Sequence, residues 1–329
     1  MPLREARPDE IPRVLRATQA CRNPPYSLEE DVEQRVALME TPWGRERERL
    51  LLGLDSTGEP HTAVLVASLE GSLDGRRVRI ARIGWPLIIW DVVGESTAYE
   101  LVDLAAEEMR RRGHDLAVTL TSRVSLSRPP SGFTSLPSSE AACRTALPVP
   151  WPKEPRWLAA GEDPLKSVPG LRAAQTRDLD EMTAIHQEMI AGQRLRIDRG
   201  RDEWERILVA RRNVQAPFWV VERDGRVEAY VLLEPEPPTL RWREHGARRG
   251  AEGLLTDLFW SALAWARGSG LQRIEGWSMP EILTVQPLYP TSDRARKKGI
   301  AALRGLDDTD PPPAFAREDE CRLWELDFL

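Results

Sequence analysis

Residues 84–118 read GWPLIIWDVVGESTAYELVDLAAEEMRRRGHDLAV and carry the signals of a strand, a turn and a helix in succession. The apolar run at 85–93 is too short for a membrane span and suits a buried strand. A turn follows, then a helix that should end near Gly113, then a second strand. A strand that enters a helix through a short loop commonly holds a phosphate group, and such loops usually carry glycines and a basic residue. The loop here is VVGESTA (92–98), so the question is whether it still holds a cofactor.

The order of elements around this stretch occurs twice in the chain. Residues 3–19 and 171–187 each read as a short strand followed by an amphipathic helix. Residues 104–120 and 261–277 each read as a helix, a glycine C-cap and a strand. Similar elements in one order at similar offsets indicate a duplicated domain.

Each copy also contains a predicted β-hairpin between these segments. Residues 49–69 should turn about Gly58, and residues 218–233 about Asp224 and Gly225. The sequence therefore predicts an α+β fold of mixed α/β layers, with two tandem domains. Each domain would be a mixed, mostly antiparallel sheet flanked by helices.

The predicted boundaries follow composition. Residues 148–170 are rich in proline and glycine and read as a linker. They divide an N-terminal domain at 1–147 from a C-terminal domain at 171–329.

Composition narrows the classes of function. A net charge of −6 over 329 residues argues against a broad nucleic-acid surface. The charged N-terminus and the absence of a long apolar run argue against a signal peptide and a membrane partner, so we expect a cytoplasmic protein. Three scattered cysteines form neither a disulfide framework nor a predicted metal site.

The segments LREARPDEIPRVL (3–15), SGFTSLP (131–137), FWVVERDGRVEAYVLL (218–233) and GSGLQRIEGW (268–277) carry a family resemblance. Each copy resembles a GNAT (N-acetyltransferase) domain, and the pair resembles the tandem core of the enhanced-intracellular-survival type acetyltransferases. The segments KKGIAALRGLDD (297–308) and CRLWELDFL (321–329) look like the closing strands. The resemblance implies acetyl-CoA as cofactor and an amine as acceptor.

In that family the acetyl-CoA pyrophosphate lies on a loop of the pattern Gln/Arg-x-x-Gly-x-Gly/Ala. Alignment of the first copy places this pattern on Val93, Gly94, Ser96 and Ala98. Valine replaces the basic residue, serine replaces the central glycine, and only Ala98 fits. Glu95 adds a negative charge near the phosphate path, so we expect this loop to be degenerate.

The second copy keeps more of the loop chemistry. The segment REHGARRGAEGLL (243–255) contains Arg248, Arg249, Gly250 and Gly253, which could form an anion nest with two cations. The alternative is a solvated basic loop before a helix.

Candidate catalytic residues follow from the same resemblance and from proton chemistry. Glu244, or the neighbouring His245, could take a proton from an amine. The alternative is that Glu244 pairs with Arg243 or Arg248 and His245 is exposed. Tyr289 could protonate a thiolate leaving group, and the alternative is a tyrosine packed before a proline turn.

Two further sets of polar residues are expected at the surface. The charges of GRERERLL (44–51) read as solvated helix charges, and His114 follows a glycine that should end a helix.

Two functions remain open. The first is an N-acyltransferase that transfers an acetyl group to a small-molecule or peptide amine by direct attack. The second is an inactive binding or scaffold protein that no longer uses acetyl-CoA. Relatives of this type form oligomers, so a homo-oligomer is possible for either.

Overall fold

The computed structural model describes residues 1–19, 28–84, 87–88, 95–122, 131–136, 140–144, 155–210, 217–277, 292–293, 299–306, 315 and 320–321. The elements before the predicted linker are β1 (Leu3–Glu5), α1 (Ile11–Gln19), α2 (Leu28–Met39), α3 (Pro42–Arg47), β2 (Glu48–Leu54), β3 (Pro60–Leu73), β4 (Arg76–Ile83), β5 (Leu87–Ile88), α4 (Glu95–Arg111), β6 (Leu116–Ser122), β7 (Thr134–Ser135) and β8 (Glu140–Arg144).

Two short helices lie inside the predicted linker, and the second copy follows. These elements are α5 (Arg156–Ala159), α6 (Pro164–Ser167), β9 (Leu171–Ala173), α7 (Leu179–Ile190), β10 (Leu195–Asp198), α8 (Arg201–Ala210), β11 (Phe218–Arg223), β12 (Arg226–Glu236), β13 (Thr239–Ala247), α9 (Leu254–Gly268), β14 (Arg273–Trp277), β15 (Ser292–Asp293) and β16 (Gly299–Gly305). We call β1 to β6 the first repeat and β9 to β14 the second repeat.

Residues with positive φ set the turns and helix ends that the sequence predicted. The β2–β3 hairpin turns at Gly58 (φ 88°), and the β11–β12 hairpin at Asp224 (φ 51°) and Gly225 (φ 77°). Helices α4 and α9 are followed by Gly113 and Gly270, both with positive φ. Both helices then end with a backbone hydrogen bond from residue i to residue i−5. His114 N–H donates to the Met109 carbonyl, and Leu271 N–H donates to the Ala266 carbonyl.

The strands form two mixed, mostly antiparallel sheets, which confirms the predicted fold class. The first sheet has the order β1-β2-β3-β4-β6-β16-β7, and β5 and β10 also pair with β3. The second sheet has the order β15-β8-β14-β13-β12-β11-β9. Among the described strands, the parallel pairs are β4 with β6 and β13 with β14.

Each sheet contains a strand from the other side of the predicted linker. Strand β16, from the end of the chain, pairs with β6 over seven residue pairs in the first sheet. Strand β8, which precedes the linker, pairs with β14 in the second sheet. Residues 299–305 are therefore a closing strand, as expected, but they close the first sheet. The division at 148–170 does not separate the two sheets.

We expect a fragment of residues 1–147 to aggregate, because without β16 it would expose the unpaired edge of β6. Size-exclusion chromatography of this fragment, compared with the same fragment co-expressed with residues 148–329, measures the effect. A monomeric fragment with a cooperative unfolding transition would contradict the expectation.

Helices cover both faces of the second sheet and so define two sides of the candidate site. On one face, Trp242 of β13 belongs to the same apolar cluster as Phe259 and Leu263 of α9. The other face packs against α7 and α8, including Ile185 and Trp204. Within the described part of the chain, no helix is long and apolar enough to cross a membrane.

Candidate functional site

The two parallel strands of the second repeat part at a β-bulge. Their last pair among the described residues is Trp242 with Gly276, and β13 extends to Ala247 while still paired with β12. On its other side β13 pairs Leu232 with Glu244 and Leu233 with Trp242, so Arg243 has no opposite residue on β12. A bulge disrupts the ladder locally and changes the direction of the neighbouring side chains.

The first repeat shows the same arrangement. The last parallel pair of β4 and β6 is Ile83 with Thr119. Strand β3 then pairs Val66 with Ile83 and Ala63 with Leu87, so the partner segment carries one extra residue here also. The bulge and the parting strands are therefore features of both repeats.

Glu244 and His245 are consecutive strand residues and point to opposite faces of the second sheet. His245 lies on the α9 face, where its Nδ1 accepts a hydrogen bond from Trp242 Nε1 at 3.0 Å. It is 2% exposed, so the expectation of an exposed histidine is wrong. Glu244 lies on the α7–α8 face, where the Tyr230 hydroxyl donates to its Oε1 at 2.8 Å.

Glu244 is completely buried in an ionic cluster. The Arg199 guanidinium donates to its Oε2, and the His186 ring nitrogen Nδ1 lies 3.6 Å from its Oε1. Burial by itself raises the pKa of the Glu244 carboxyl, but the Arg199 charge and His186 outweigh burial and lower this pKa to about 2, from an ordinary 4.5. A carboxylate with so low a pKa and no access to solvent cannot take a proton from an amine in this conformation. The sequence alternative, pairing with Arg243 or Arg248, is not found either, since the partner is Arg199.

The low pKa of Glu244 predicts a pH-dependent contribution to stability. Because the folded-state pKa is depressed, the contribution is fully present above pH 4.5 and is lost as the pH falls toward 2. A shift of this size corresponds to about 3 kcal/mol. Urea unfolding of the wild type and Glu244→Gln between pH about 6 and about 3 measures it. In the variant, the free energy of unfolding should fall less steeply as the pH is lowered. Part of the fall should remain, because Arg4 also holds the pKa of Glu10 at about 2. Equal slopes would contradict the expectation.

The loop before α9 presents the predicted anion nest only in part. Arg248 is 13% exposed and donates to the Val227 carbonyl at 3.0 Å and to Glu188 and Glu181 at 3.3 Å each. Arg249 is exposed. Of the two predicted cations, Arg249 is therefore exposed to solvent, while Arg248 ties the loop to α7.

The two glycines of this loop have open space around them. A Cβ added at Gly250 (φ 87°) or at Gly253 would meet no atom within 4 Å, and Gly253 is the N-cap of α9. The exposed Glu252 has a lowered pKa because backbone N–H groups of Glu252 and Gly250 donate to its carboxylate. The Glu252 carboxylate therefore occupies the backbone N–H groups that a bound anion would need.

The remaining predicted site residues are only partly described. Val93, Gly94 and Tyr289 lie outside the described residues. Ser96 lies in the first turn of α4, and Ala98 is 4% exposed on the same helix.

Sequence reasoning missed a second buried ionic cluster, at the contact between the repeats. The Glu48 side chain is 0% exposed, and its Oε1 accepts from Arg82 at 2.8 Å and from Arg206 of α8. Both guanidiniums lie over the Trp43 ring, at 5.8 and 4.9 Å from its centroid. The expectation that the charges of 44–51 are all solvated is therefore wrong for Glu48. Its partners are 34 and 158 positions away, so no local pattern could have found them.

Solved structures of known proteins share the fold of this chain. A GCN5-related N-acetyltransferase from Anabaena variabilis matches with a TM-score of 0.61 at 15% identity, over 93% of this chain and 73% of that chain. A probable N-acyltransferase from Enterococcus faecalis matches with a TM-score of 0.61 at 14% identity, over 93% and 72%. The chain has the GNAT fold.

A further structural match carries a ligand. Saccharomyces cerevisiae N-myristoyltransferase, solved with bound myristoyl-CoA, has a TM-score of 0.60 at 12% identity, over 92% of this chain and 78% of that chain. No protein-family model and no curated protein matches the sequence. At these identities the likeness to GNAT proteins is one of fold.

Proposed function

We propose that this chain is an N-acyltransferase that takes its acyl group from an acyl-CoA and passes it to an amine. The observation that carries the proposal is the geometry of the second repeat. There β13 and β14 part at a bulge, and a glycine loop leads into the N-terminus of α9. An acyl-CoA would lie along the parting strands, with its phosphates at the loop and the helix N-terminus.

The residues that would hold the donor are those of the loop. Backbone N–H groups at Gly250 and Glu252, with the Arg249 side chain, would face the phosphates, and α9 would add its dipole. The space around Gly250 and Gly253 fits such a group, although Glu252 must move. When bound, acyl-CoA supplies a thioester carbonyl carbon that an amine can attack.

The chain's own groups would have three tasks in the reaction. Backbone N–H groups beside the Arg243 bulge would polarise the carbonyl oxygen. A base would take a proton from the attacking amine, and Glu244 can do so only if Arg199 leaves it. An acid would protonate the sulfur as the carbon–sulfur bond breaks, and Tyr289 remains our candidate.

A ligand-binding protein without transferase activity is the second candidate, and a pocket in the first repeat favours it. The pocket has a volume of about 470 Å³, within the range of small-molecule sites. Its apolar walls include Ile11, Val36, Met39 and Leu50, and Arg45, Arg49, Glu5 and Glu40 add charges to its lining.

Calorimetric titration with acetyl-CoA and with myristoyl-CoA tests the proposal. A ligand that binds only the folded protein should also raise its thermal midpoint. Binding followed by release of free thiol on addition of an amine would support the acyltransferase. No heat and no thermal shift at about 1 mM of either ligand would overturn it and favour the second candidate.

We expect the loop residues to contribute unequally to acyl-CoA affinity. Arg249→Ala should weaken binding more than Arg248→Ala, because the Arg248 side chain is held by Glu181, Glu188 and the Val227 carbonyl. Glu252→Gln should strengthen binding by about 3- to 10-fold, because it removes a negative charge from the phosphate nest. The same calorimetric titration measures all three variants. Tighter binding by Arg249→Ala, or no change in Glu252→Gln, would contradict the assignment of the nest.

A further inference from the structure

The segment that joins β10 to α8 carries Arg199 into the interior of the second repeat. Strand β10 belongs to the second repeat in sequence, yet it pairs antiparallel with the end of β3 in the first sheet. Its last pair is Asp198 with Glu70, and Arg199 follows directly. The first sheet therefore determines where this arginine enters the second repeat.

The surroundings of Arg199 have the composition of a cation-binding site. Its guanidinium donates to Glu244, its Nε lies 3.8 Å from Glu203 Oε1, and its guanidinium carbon lies 4.7 Å from the centroid of the Trp204 ring. We call Glu203, Trp204 and Glu244 the cation cage. Carboxylates combined with an aromatic face bind guanidinium and ammonium groups well when water is excluded. The side chains of Arg199 and Glu244 are both 0% exposed.

The cation cage includes Glu244, the carboxylate that could act as the base in the proposed reaction. Glu244 lies two residues beyond the last pair of β13 and β14, on the α7–α8 face, next to the bulge. A cation that replaced Arg199 would place its nitrogen against this carboxylate.

We propose that the cation cage is a binding site for a guanidinium or alkylammonium group and that Arg199 occupies it as an internal ligand. An acceptor amine then reaches Glu244 only after Arg199 has left. The second statement rests on the proposed acyltransferase function, whereas the first does not.

The pairing of β10 with β3 offers a route by which Arg199 could leave. It extends over four residue pairs, from Leu195 with Leu73 to Asp198 with Glu70. The two strands approach closely at Gly71, where an added Cβ would lie 2.1 Å from the Arg196 carbonyl oxygen. Gly71→Ala should therefore push β10 away from β3 without altering Arg199 or the cage.

The first experiment removes the Arg199 side chain from the cation cage by mutation and then adds a small cation that could bind in its place. Arg199→Ala should bind methylguanidinium, with a rise in thermal midpoint, whereas the wild type should not. Methylurea, a neutral analogue of similar shape, should bind at least about tenfold more weakly, because it lacks the charge that Glu244 and Glu203 attract. In Arg199→Ala/Glu244→Gln the affinity for methylguanidinium should fall by a similar factor. Equal binding of the two ligands, or no binding of methylguanidinium at about 10 mM, would overturn the cage.

A second variant keeps the proposal testable if Arg199→Ala does not fold. In Gly71→Ala, hydrogen exchange of β10 should accelerate, and methylguanidinium binding should appear. Faster exchange without a gain of binding would overturn the cage, and unchanged exchange would overturn the exit route.

A third experiment tests whether Arg199 acts as a gate, that is, whether it blocks the access of the amine to Glu244. This test is separate from the test of acyl-CoA binding. With acyl-CoA and n-butylamine, thiol release by Arg199→Ala should exceed that of the wild type by about tenfold or more. If both proteins bind acyl-CoA and release thiol equally slowly, Arg199 is not a gate. If neither binds acyl-CoA while Arg199→Ala binds methylguanidinium, the acyltransferase proposal fails and the cation cage stands.

Discussion

Glu244→Ala is expected to lower the free energy of unfolding by about 3–5 kcal/mol, because it removes the hydrogen-bonded counter-charge of a buried cation and leaves Glu203, 3.8 Å away, as its carboxylate neighbour. The charge left behind is the Arg199 guanidinium, whose side chain is 0% exposed. The Tyr230 hydroxyl also loses its acceptor on Glu244. Urea unfolding at neutral pH, followed by circular dichroism, measures the loss.

Glu188→Ala is the matched control for this variant. Glu188 also pairs with an arginine, Arg248 at 3.3 Å, but its side chain is 46% exposed. A pair of this kind contributes about 1 kcal/mol or less. If the two variants were destabilised equally, the Glu244 cluster would not act as a buried ion pair. The double variant Arg199→Ala/Glu244→Ala should be less destabilised than the sum of its single variants, because neither charge is then left alone.

Glu48→Ala is expected to produce a loss of similar size, about 3–5 kcal/mol, and in addition to loosen the contact between the repeats. Glu48 Oε1 accepts from Arg82 of the first repeat and from Arg206 of the second. The alanine would leave two buried guanidiniums side by side over the Trp43 ring. Their mutual repulsion should push α8 away from α2 and α3.

Two measurements separate the effects of Glu48→Ala. Urea unfolding gives the overall loss, and hydrogen exchange resolved by segment shows whether α8 loses protection before the rest of the second repeat. Glu29→Ala, which removes the partner of Arg16 in an exposed pair, is the control and should leave the unfolding midpoint unchanged. A large loss of stability with unchanged exchange in α8 would mean that Glu48 supports only the first repeat.

Much of the fold follows from local sequence signals. The turns at Gly58 and Asp224–Gly225 and the helix ends at Gly113 and Gly270 were predicted where the structure has them. Each requires a positive φ, which glycine and aspartate tolerate and most residues do not. Such a requirement involves only a few neighbouring residues, so it can be read without knowledge of the rest of the chain.

The candidate site was predicted less completely. Gly250 and Gly253 lie in the loop before α9, as the spacing indicated, and their role in binding an anion stays a prediction. Glu244 was identified as important, but its partner was not, because Arg199 is 45 positions earlier and enters from a strand of the other sheet. His114 was expected at the surface and is 4% exposed instead. Its pKa is lowered by burial, and its Nε2 lies 2.9 Å from the Ser68 hydroxyl.

The family resemblance predicted a closing strand in residues 297–308, but the sheet that receives residues 299–305 is set by the folded chain. A strand's pattern specifies its own faces and not the identity of its neighbours, so the exchange of β8 and β16 between sheets could not be read from it. The same holds for the buried charges. Whether Glu48, Arg199 and Arg206 lie in water or in the core depends on counter-charges that only the folded chain brings within hydrogen-bond distance.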